Sequence, residues 1–514
     1  MSSKQKTTPA WKQYNRPWYA KFGHAVGDYF KGIGLLLWSV IKAIPFKLRD
    51  LFVGIGRCFQ GLWLRFVRGD WRTKISYLIM GFGDFSRGPH QFLKGFLWFA
   101  VEALFVVYMV LTGGHSLWML GGLGDVPDHY EPGQIGLTEG DNSLKILLFG
   151  VLSLFILVFF VYMWIKSTKD AYETCEKARA GKELSTAKQQ ISYALNDGYH
   201  VTVLALPIIG ILVITVLPLV CNILIAFTNY DDAHRPPTAL FDWVGFETFG
   251  TVLKTSYGTV FWQVLGWTLI WAVFATFTNF FFGMFLAMMI NKKSIKIKAF
   301  WRICFVTVIA VPDFVSLMLM NQFFSYSEAA TLTGPFNTIL RNWFGIKGAN
   351  VDWFGSKDHN GILPRVMVIV VNMWRGMPFT MLATSGILMN IPEELYESSR
   401  IDGAGPFRRF VSITFPYIMF VMGPQLITTF TGNINNFNVI YLLTGGGPDG
   451  NVGGVMIGKT DLLVTWLYSL TLETQHPQYN VGSVIGLFTF LVSSFFALIV
   501  FNSSKSIKQE DTFQ

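Results

Sequence analysis

The stretch PEELYESSRIDGAGPFRRFVSITFP, residues 392–416, is a polar segment between two long apolar segments. Pro392 and the two glutamates that follow it predict the first turn of a helix, because negative charge is stabilised at a helix N-terminus. Gly403 and Gly405, followed by Pro406, predict the end of that helix. A second short helix is expected next, with phenylalanines on one face and two arginines on another. Such polar helices are excluded from hydrocarbon, so we expect the pair at the membrane surface, accessible to a soluble partner.

The composition is that of a polytopic membrane protein. Of the 514 residues, 52% are hydrophobic and 14% are charged, whereas soluble proteins carry about 25% charged residues. The net charge of +9 is attributed to Lys and Arg at the cytoplasmic membrane surface. The four cysteines lie far apart and lack the spacing of metal ligands or of a disulfide framework. The lipid bilayer is therefore the expected environment, and neither nucleic acid nor a metal is an expected ligand.

About eight apolar segments have the length of about 20 residues that a membrane-spanning helix needs. They lie near residues 93–113, 145–165, 203–228, 260–290, 299–325, 365–390, 416–443 and 481–502. The seventh is interrupted by Gly and Asn within 432–436, so the sequence leaves its ends uncertain. These segments predict an all-α polytopic fold.

The loops between the spans predict the orientation by their Lys and Arg content. Residues 114–144 contain acidic residues and no Lys or Arg, so this loop is expected outside. Residues 166–200 are rich in Lys, and the arginines of the 392–416 loop mark it as cytoplasmic as well. An even number of spans then places both termini in the cytoplasm.

Residues 1–90 precede the first span. Apolar residues recur at helical spacing between 30 and 68, but Lys and Arg interrupt them too often for a span. Two interpretations stay open: a basic amphipathic helix pair on the inner leaflet, or helices packed on the rest of the chain. The predicted regions are residues 1–90 (interfacial), 91–200 (two spans and a cytoplasmic linker), 201–503 (the transport core with the 392–416 loop) and 504–514 (a cytoplasmic tail).

Three features of the 392–416 loop carry a family resemblance. They are Glu397-Ser398-Ser399, Gly403, and Ile413-Thr414-Phe415-Pro416. Their spacing resembles the E-A-A, G, I-x-L-P loop of the permease subunits of binding-protein-dependent ABC importers. Serines stand where that loop has two alanines, and Phe415 stands where it has leucine.

Further segments narrow the resemblance to the MalF-like permeases of maltose/maltodextrin importers. They are Asp402–Phe407, Asn435–Phe437 with Leu442–Pro448, and Thr460–Leu463. The resemblance covers roughly residues 200–503, and it is strongest between about 360 and 465. Residues 1–90 carry none of it.

The resemblance implies a type I ABC importer permease fold and the transport of an oligosaccharide, maltodextrin-like, by alternating access. The implied partners are a second, MalG-like permease subunit, two cytoplasmic ATPase subunits and an extracytoplasmic sugar-binding protein, in the cytoplasmic membrane of a bacterium. The chain itself is expected to be no enzyme and to hold no cofactor, since ATP and Mg²⁺ bind the partner ATPase. The residues implied in coupling to that ATPase are Glu397, Ser398, Ser399, Asp402, Gly403 and Pro416.

Polar side chains inside the spans are the candidates for substrate contact, because they are costly in a membrane and usually face a cavity or a partner helix. Amides bind hydroxyl groups as donors and as acceptors, and an aromatic ring packs on the apolar face of a pyranose. By resemblance, Asn372, Gly376, Asn433 and Asn436 match sugar-contacting positions of MalF-like permeases. Phe379 keeps an aromatic ring where those permeases have tyrosine.

Three positions depart from the family pattern. Arg375 replaces an aliphatic residue, Asp313 replaces a serine, and Gly432 replaces an aromatic residue. The sequence leaves open whether Asp313 and Arg375 contact the sugar or pair with each other. The complete predicted substrate set is Asp313, Asn372, Arg375, Gly376, Phe379, Asn433 and Asn436.

Two features point to other functions. Residues Gly453–Thr460 match the G-x-x-x-x-G-K-T pattern of a phosphate-binding loop, but that mechanism needs a strand–loop–helix and a magnesium-binding carboxylate. This segment is expected in an outward loop, so we expect no nucleotide site there.

The alternative function is an ion-coupled secondary transporter or channel, which Asp313 favours and which the spacing of Glu397, Gly403 and Pro416 disfavours.

Overall fold

The structure is a computed structural model that describes residues 47–503, apart from residues 48, 51, 89–90, 130–137, 185, 293, 328–332, 347–349 and 356–360. The chain forms two compact units. Unit 1 comprises Met1–Asp125 and Asp141–Cys221, and unit 2 comprises Val126–Gly140 and Asn222–Gln514. The region boundaries proposed from the sequence at residues 90 and 200 remain predictions.

The described part of unit 1 is helical. Its helices are α1 (52–68), α2 (Trp71–Ile75), α3 (Phe82–Phe85), α4 (Phe92–Met119), α5 (Ser143–Arg179), α6 (Ala187–Leu195) and α7 (Tyr199–Ile225), whose last residues belong to unit 2. Helices α4, α5 and α7 are long and apolar enough to cross a membrane.

The segment between α1 and α4 is fixed by a buried charge. The Arg87 guanidinium, 4% exposed, donates to Asp70 Oδ1 (2.6 Å) and to the carbonyl of Ala171 on α5 (3.0 Å). Burial acts to raise the pKa of Asp70, but hydrogen bonds from Thr73 and Arg87 outweigh it and lower this pKa to about 2. This segment is therefore packed on a spanning helix. The amphipathic helices predicted within residues 30–68 are described only from residue 47 onward, and the earlier part lies outside the described residues.

The described part of unit 2 is helical with one small hairpin. Its elements are α8 (Glu247–Lys254), α9 (Ser256–Asn291), α10 (Lys298–Ala310), α11 (Asp313–Phe323), α12 (Pro335–Asn342), α13 (Ile362–Met389), α14 (Glu393–Ile401), α15 (Pro406–Ile434), α16 (Phe437–Thr444), β1 (Asp449–Val452), β2 (Val455–Gly458), α17 (Leu463–Tyr468) and α18 (Tyr479–Ser503). Helices α9 and α13 cross closely: a Cβ on Gly283 of α9 would lie 2.7 Å from the Met377 carbonyl of α13. This contact explains the glycine at position 283.

The number of spans agrees with the sequence. The described residues contain seven helices long and apolar enough to cross a membrane, and up to eight if the bent pair α10–α11 is one span. The prediction of an all-α polytopic fold with about eight spans is confirmed.

Two predicted spans are broken, one that the sequence predicted as continuous and one whose interruption at residues 432–436 was expected. The span predicted at 299–325 bends by 96° between α10 and α11. Pro312 at this break has no backbone N–H and disfavours a helical residue before it, which ends α10. The span predicted at 416–443 ends at Ile434, and α16 begins after Asn436, whose Oδ1 accepts a hydrogen bond from Val439 N (3.4 Å) as its N-cap.

The second short helix predicted after Gly405 is not separate. It continues through the π-helical turn Phe410–Thr414 into α15, so that Pro416 lies inside a spanning helix rather than at the end of a loop. No helix-breaking residue lies between Phe407 and Phe415, and a π-turn accommodates the backbone donor that Pro416 lacks.

The orientation is tested by labelling single cysteines, in a chain whose four native cysteines are replaced by serine. An impermeant maleimide added to intact cells is expected to label Val126→Cys and to label Glu183→Cys only after permeabilisation, because positive charge is retained in the cytoplasm. Both positions are exposed. Labelling of Glu183→Cys in intact cells, with Val126→Cys protected, would reverse the topology.

The hairpin β1–β2 contains the residues that match the phosphate-binding pattern. The strands pair antiparallel and turn through Gly453 and Gly454, whose φ angles are 61° and 90°. This geometry differs from the strand–loop–helix that cradles a phosphate. Asp461 closes the hairpin base: its carboxylate accepts hydrogen bonds from Gly458 N (2.8 Å) and Thr465 Oγ1 (2.8 Å).

The hairpin base is expected to weaken as pH rises. Burial raises the pKa of Asp461 to about 6, against an ordinary value of 3.8, although the hydrogen bonds from Thr465 and Gly458 oppose the rise. A carboxyl group with a raised folded-state pKa binds its proton more tightly in the folded state. Its contribution to the stability of the hairpin is therefore present below about pH 4 and is lost as pH rises through about 6. Hydrogen exchange of the amides of residues 449–461, corrected for intrinsic rates, should show less protection at pH 7 than at pH 5. Protection that increases with pH would contradict this assignment, and Asp461→Asn should flatten the dependence.

Candidate functional site

A cavity of about 240 Å³ lies among the spanning helices of unit 2. Side chains from α9, α10, α11, α13 and α15 line it. The lining residues are Thr276, Asn279, Phe280, Val308, Ile309, Asp313, Arg375, Gly376, Phe379, Thr380, Met422, Gln425, Leu426, Thr429 and Asn433. The cavity therefore combines amides, hydroxyls, one ion pair and aromatic rings within apolar helices.

Asn433 is the most constrained amide of the lining. Its Nδ2 donates to Thr276 Oγ1 on α9 (3.0 Å), and its Oδ1 accepts from Asn436 Nδ2 (3.2 Å). Its backbone carbonyl accepts from Trp271 Nε1 (3.1 Å). These bonds fix the end of α15 against α9, and they leave one N–H of the amide and one lone pair of its oxygen for another ligand.

Asn279 also lines the cavity and was missed from the sequence. Its amide packs directly on Gly376 of α13, where a Cβ would collide with it, and its Oδ1 is buried with no hydrogen-bond partner in the described residues. Gly376 is thus needed for close approach of α13 to an amide on α9. A buried acceptor without a partner is suited to a ligand hydroxyl, because leaving it unpaired costs about 1–3 kcal/mol.

A polar stripe on α15 was missed as well. Gln425, Thr429 and Asn433 recur every four residues and all line the cavity. Side chains at this spacing lie on one face of a helix. This spacing is visible in the sequence and could have identified Gln425 and Thr429 as further candidates.

The charged residues Asp313 and Arg375 pair with each other. Arg375 Nη1 lies 2.7 Å from Asp313 Oδ2, with side-chain exposures of 21% and 60%. The bend before α11 places Asp313 in its first turn, next to the middle of α13. The two side chains therefore pair with each other in this structure, and contact of either one with a sugar stays a prediction.

The structure brings only some of the predicted substrate residues together. Asp313, Arg375, Gly376, Phe379 and Asn433 line the cavity, whereas two others do not. Asn372 is fully buried one turn before Arg375, and neither of its amide atoms has a hydrogen-bond partner in the described residues. Asn436 supports Asn433 and caps α16. Of the predicted amides Asn372, Asn433 and Asn436, Asn433 alone lines the cavity.

The predicted coupling residues lie on α14 and the turn that follows it. Gly403 has a φ of 74°, a left-handed conformation that disfavours any side chain. Ser399 Oγ donates to the Tyr396 carbonyl (2.8 Å), which keeps this small side chain on the helix. Glu397, Ser398 and Asp402 are exposed, as is Pro416 on α15.

The same turn exposes two large apolar side chains. Ile401 is 87% exposed and Phe407 is 79% exposed, on either side of Gly403. Exposed apolar side chains are candidates for contact with a partner protein. The role of this turn in coupling stays a prediction.

Comparison with known proteins agrees with this architecture. Residues 279–507, which include every predicted substrate and coupling residue, match the family model described as "Binding-protein-dependent transport system inner membrane component". The galactooligosaccharides transport system permease protein GanP of Bacillus subtilis (strain 168) is 32% identical over 84% of this chain and 97% of that protein. The chain belongs to this family of membrane components.

Two further members of the family show how the similarity is distributed. The maltodextrin permease MalC of Streptococcus pneumoniae (serotype 4) is 32% identical over 86% of this chain and 97% of that protein. The maltose/maltodextrin permease MalF of Yersinia pestis is 35% identical, but over 51% of this chain and 48% of that protein. The resemblance to MalF-like sugar permeases and the type I importer permease fold expected from it are confirmed.

Proposed function

We propose that this chain is a permease subunit of an ATP-driven importer and moves an oligosaccharide across the membrane by alternating access. The cavity among the spans carries the proposal. It offers neutral amides and hydroxyls, which suit sugar hydroxyl groups in both hydrogen-bonding roles. Phe379, 54% exposed, supplies a ring for the apolar face of a pyranose.

The size of the cavity fits one step of such a cycle. Ligand pockets usually measure about 300–1,000 Å³, and this cavity measures about 240 Å³. It is too small to enclose an oligosaccharide, so the helices around it must move apart to admit one. The break between α10 and α11 and the turn around Gly403 provide places where such movement can begin.

A maltodextrin-like substrate is the specific form of the proposal. GanP and MalC bear the names of galactooligosaccharide and maltodextrin permeases, and they match this chain along most of its length. The substrate residues proposed for this chain are Asp313, Arg375, Gly376, Phe379 and Asn433, with Asn372 and Asn436 behind them, and with Asn279 added from the structure.

The turn around Gly403 supports the proposed ATPase partner. Its exposed Ile401 and Phe407 support docking on a cytoplasmic ATPase, which would supply the ATP and Mg²⁺ chemistry. We propose a complex of this chain with a second permease, two ATPase subunits and an extracytoplasmic sugar-binding protein. The chain would lie in the cytoplasmic membrane of a bacterium with both termini inside.

Ion coupling has less support. A midplane carboxylate would have to bind and release the coupling ion. Asp313 is instead held by Arg375 at 2.7 Å, and the cavity lining has no other acidic residue among those described.

Deleting the gene tests the proposal in cells. Uptake of radiolabelled maltotriose and galactotriose is expected to fall to background for at least one of them, and a plasmid copy should restore it. Undiminished uptake of a wide panel of neutral oligosaccharides in the deletion strain would refute the proposed function.

A further inference from the structure

The cavity lining contains one positive and one negative side chain among the described residues, and they neutralise each other. Arg375 comes from the middle of α13 and Asp313 from the first turn of α11, so two separate helices bring the charges together. The other polar lining residues, such as Asn279, Gln425 and Thr429, are neutral. The cavity therefore presents no net charge to a ligand.

The two partners differ in their access to solvent. Asp313 is 60% exposed and Arg375 is 21% exposed, and a single contact joins Nη1 to Oδ2. A guanidinium has five N–H donors, so this contact leaves donors for sugar hydroxyl groups. It also places a carboxylate at the position from which an anionic ligand would approach the guanidinium.

We propose that Asp313 is a charge filter: it occupies Arg375 so that the cavity accepts uncharged saccharides and rejects saccharides that carry a carboxylate. This inference rests on the proposed sugar site and names the class of sugar that the site takes. A substrate carboxylate would have to displace Asp313 from Arg375, which leaves one carboxylate unpaired beside another. A hydroxyl group uses the remaining donors without breaking the pair.

The filter is tested by equilibrium binding to the complete importer in nanodiscs, without its binding protein, so that selection by that protein cannot contribute. The two probes are maltotriose and the same trisaccharide with its non-reducing glucose replaced by glucuronate. They differ at one position, where the second probe has a carboxylate in place of a hydroxymethyl group. The readout is the ratio of their dissociation constants in the wild type, Asp313→Asn, Asp313→Ser and the double variant Asp313→Asn/Arg375→Gln.

The wild type is expected to prefer maltotriose. Asp313→Asn should shift the ratio toward the acidic trisaccharide by about tenfold or more, because a free guanidinium forms a charge-assisted pair with it. The shift should shrink as salt is added and disappear in the double variant, which lacks both charges. Asp313→Ser repeats the test with a smaller side chain, should the asparagine variant fail to assemble.

Different results would overturn the charge filter and the sugar site. Equal ratios in the wild type and the single variants, or equal affinity of the wild type for both probes, would overturn the charge filter while leaving a sugar site. Absence of binding of maltotriose and of galactotriose to the wild type would overturn the sugar site itself.

Discussion

Replacing Gly403 with proline is expected to abolish sugar uptake while the chain still inserts into the membrane. Gly403 has a φ of 74°, and the proline ring fixes φ near −65°. Proline also removes the Gly403 N–H that donates to the Arg400 carbonyl (3.0 Å). The turn must therefore rearrange, and this rearrangement displaces Ile401 and Phe407 from their positions on its surface.

The consequence is loss of coupling rather than loss of the sugar site. A moving partner changes a distant site only through a contact that differs between two states, and the turn is the proposed contact. We expect the ATPase subunits to co-purify poorly with Gly403→Pro and radiolabelled sugar uptake to fall to background.

A matched control lies two residues away. Gly405 has a φ of −67° and an extended backbone, and a Cβ there meets open space. Gly405→Ala should therefore transport normally. Gly403→Ala should have intermediate sugar uptake, because the left-handed conformation costs a residue with a side chain about 1–2 kcal/mol. Normal co-purification and uptake by Gly403→Pro would exclude the turn as the coupling element.

Replacing Asn433 with alanine is expected to weaken sugar binding strongly without dissociating the complex. The amide bonds Thr276 and Asn436 and keeps hydrogen-bonding capacity toward the cavity. Removing it should cost about 1–3 kcal/mol of sugar binding, or about a five- to 150-fold increase in the dissociation constant. Equilibrium binding of maltotriose to the complex in nanodiscs measures this change in the dissociation constant.

The control for Asn433 is the amide two residues later. Asn435 bonds Ser493 Oγ (3.2 Å) on α18 and does not line the cavity. Asn435→Ala should leave the affinity for maltotriose within about twofold, since it removes no group from the cavity. If both variants lose the same affinity, the effect comes from the end of α15 as a whole and the assigned role of Asn433 is wrong.

The sequence predicted the spans and the turn well, because both depend on local properties. Apolar length alone defines a spanning helix, and Gly403 was expected at the end of a helix, where glycine commonly adopts the left-handed conformation that it has here. The bend at Pro312 was not predicted, since α10 and α11 are both apolar and together have the length of one span.

The cavity depends on packing between distant segments, and it was predicted only in part. A helical pattern shows which residues share a face, but the neighbour of that face is fixed by tertiary contacts. Asn372 and Asn433 looked equivalent in sequence, yet only Asn433 lines the cavity. Asn279 was missed because its role depends on the close approach of Gly376, which is 97 residues away by number.

A place for this chain in the path of an ATP-driven sugar importer is tested by uptake of radiolabelled maltotriose and galactotriose into proteoliposomes. The proteoliposomes contain this chain, the second permease, the ATPase subunits and the binding protein. We expect sugar accumulation that requires ATP on the cytoplasmic side, persists with ionophores and is lost with Gly403→Pro. Accumulation that proceeds without ATP and collapses with ionophores would contradict a role in an ATP-driven importer.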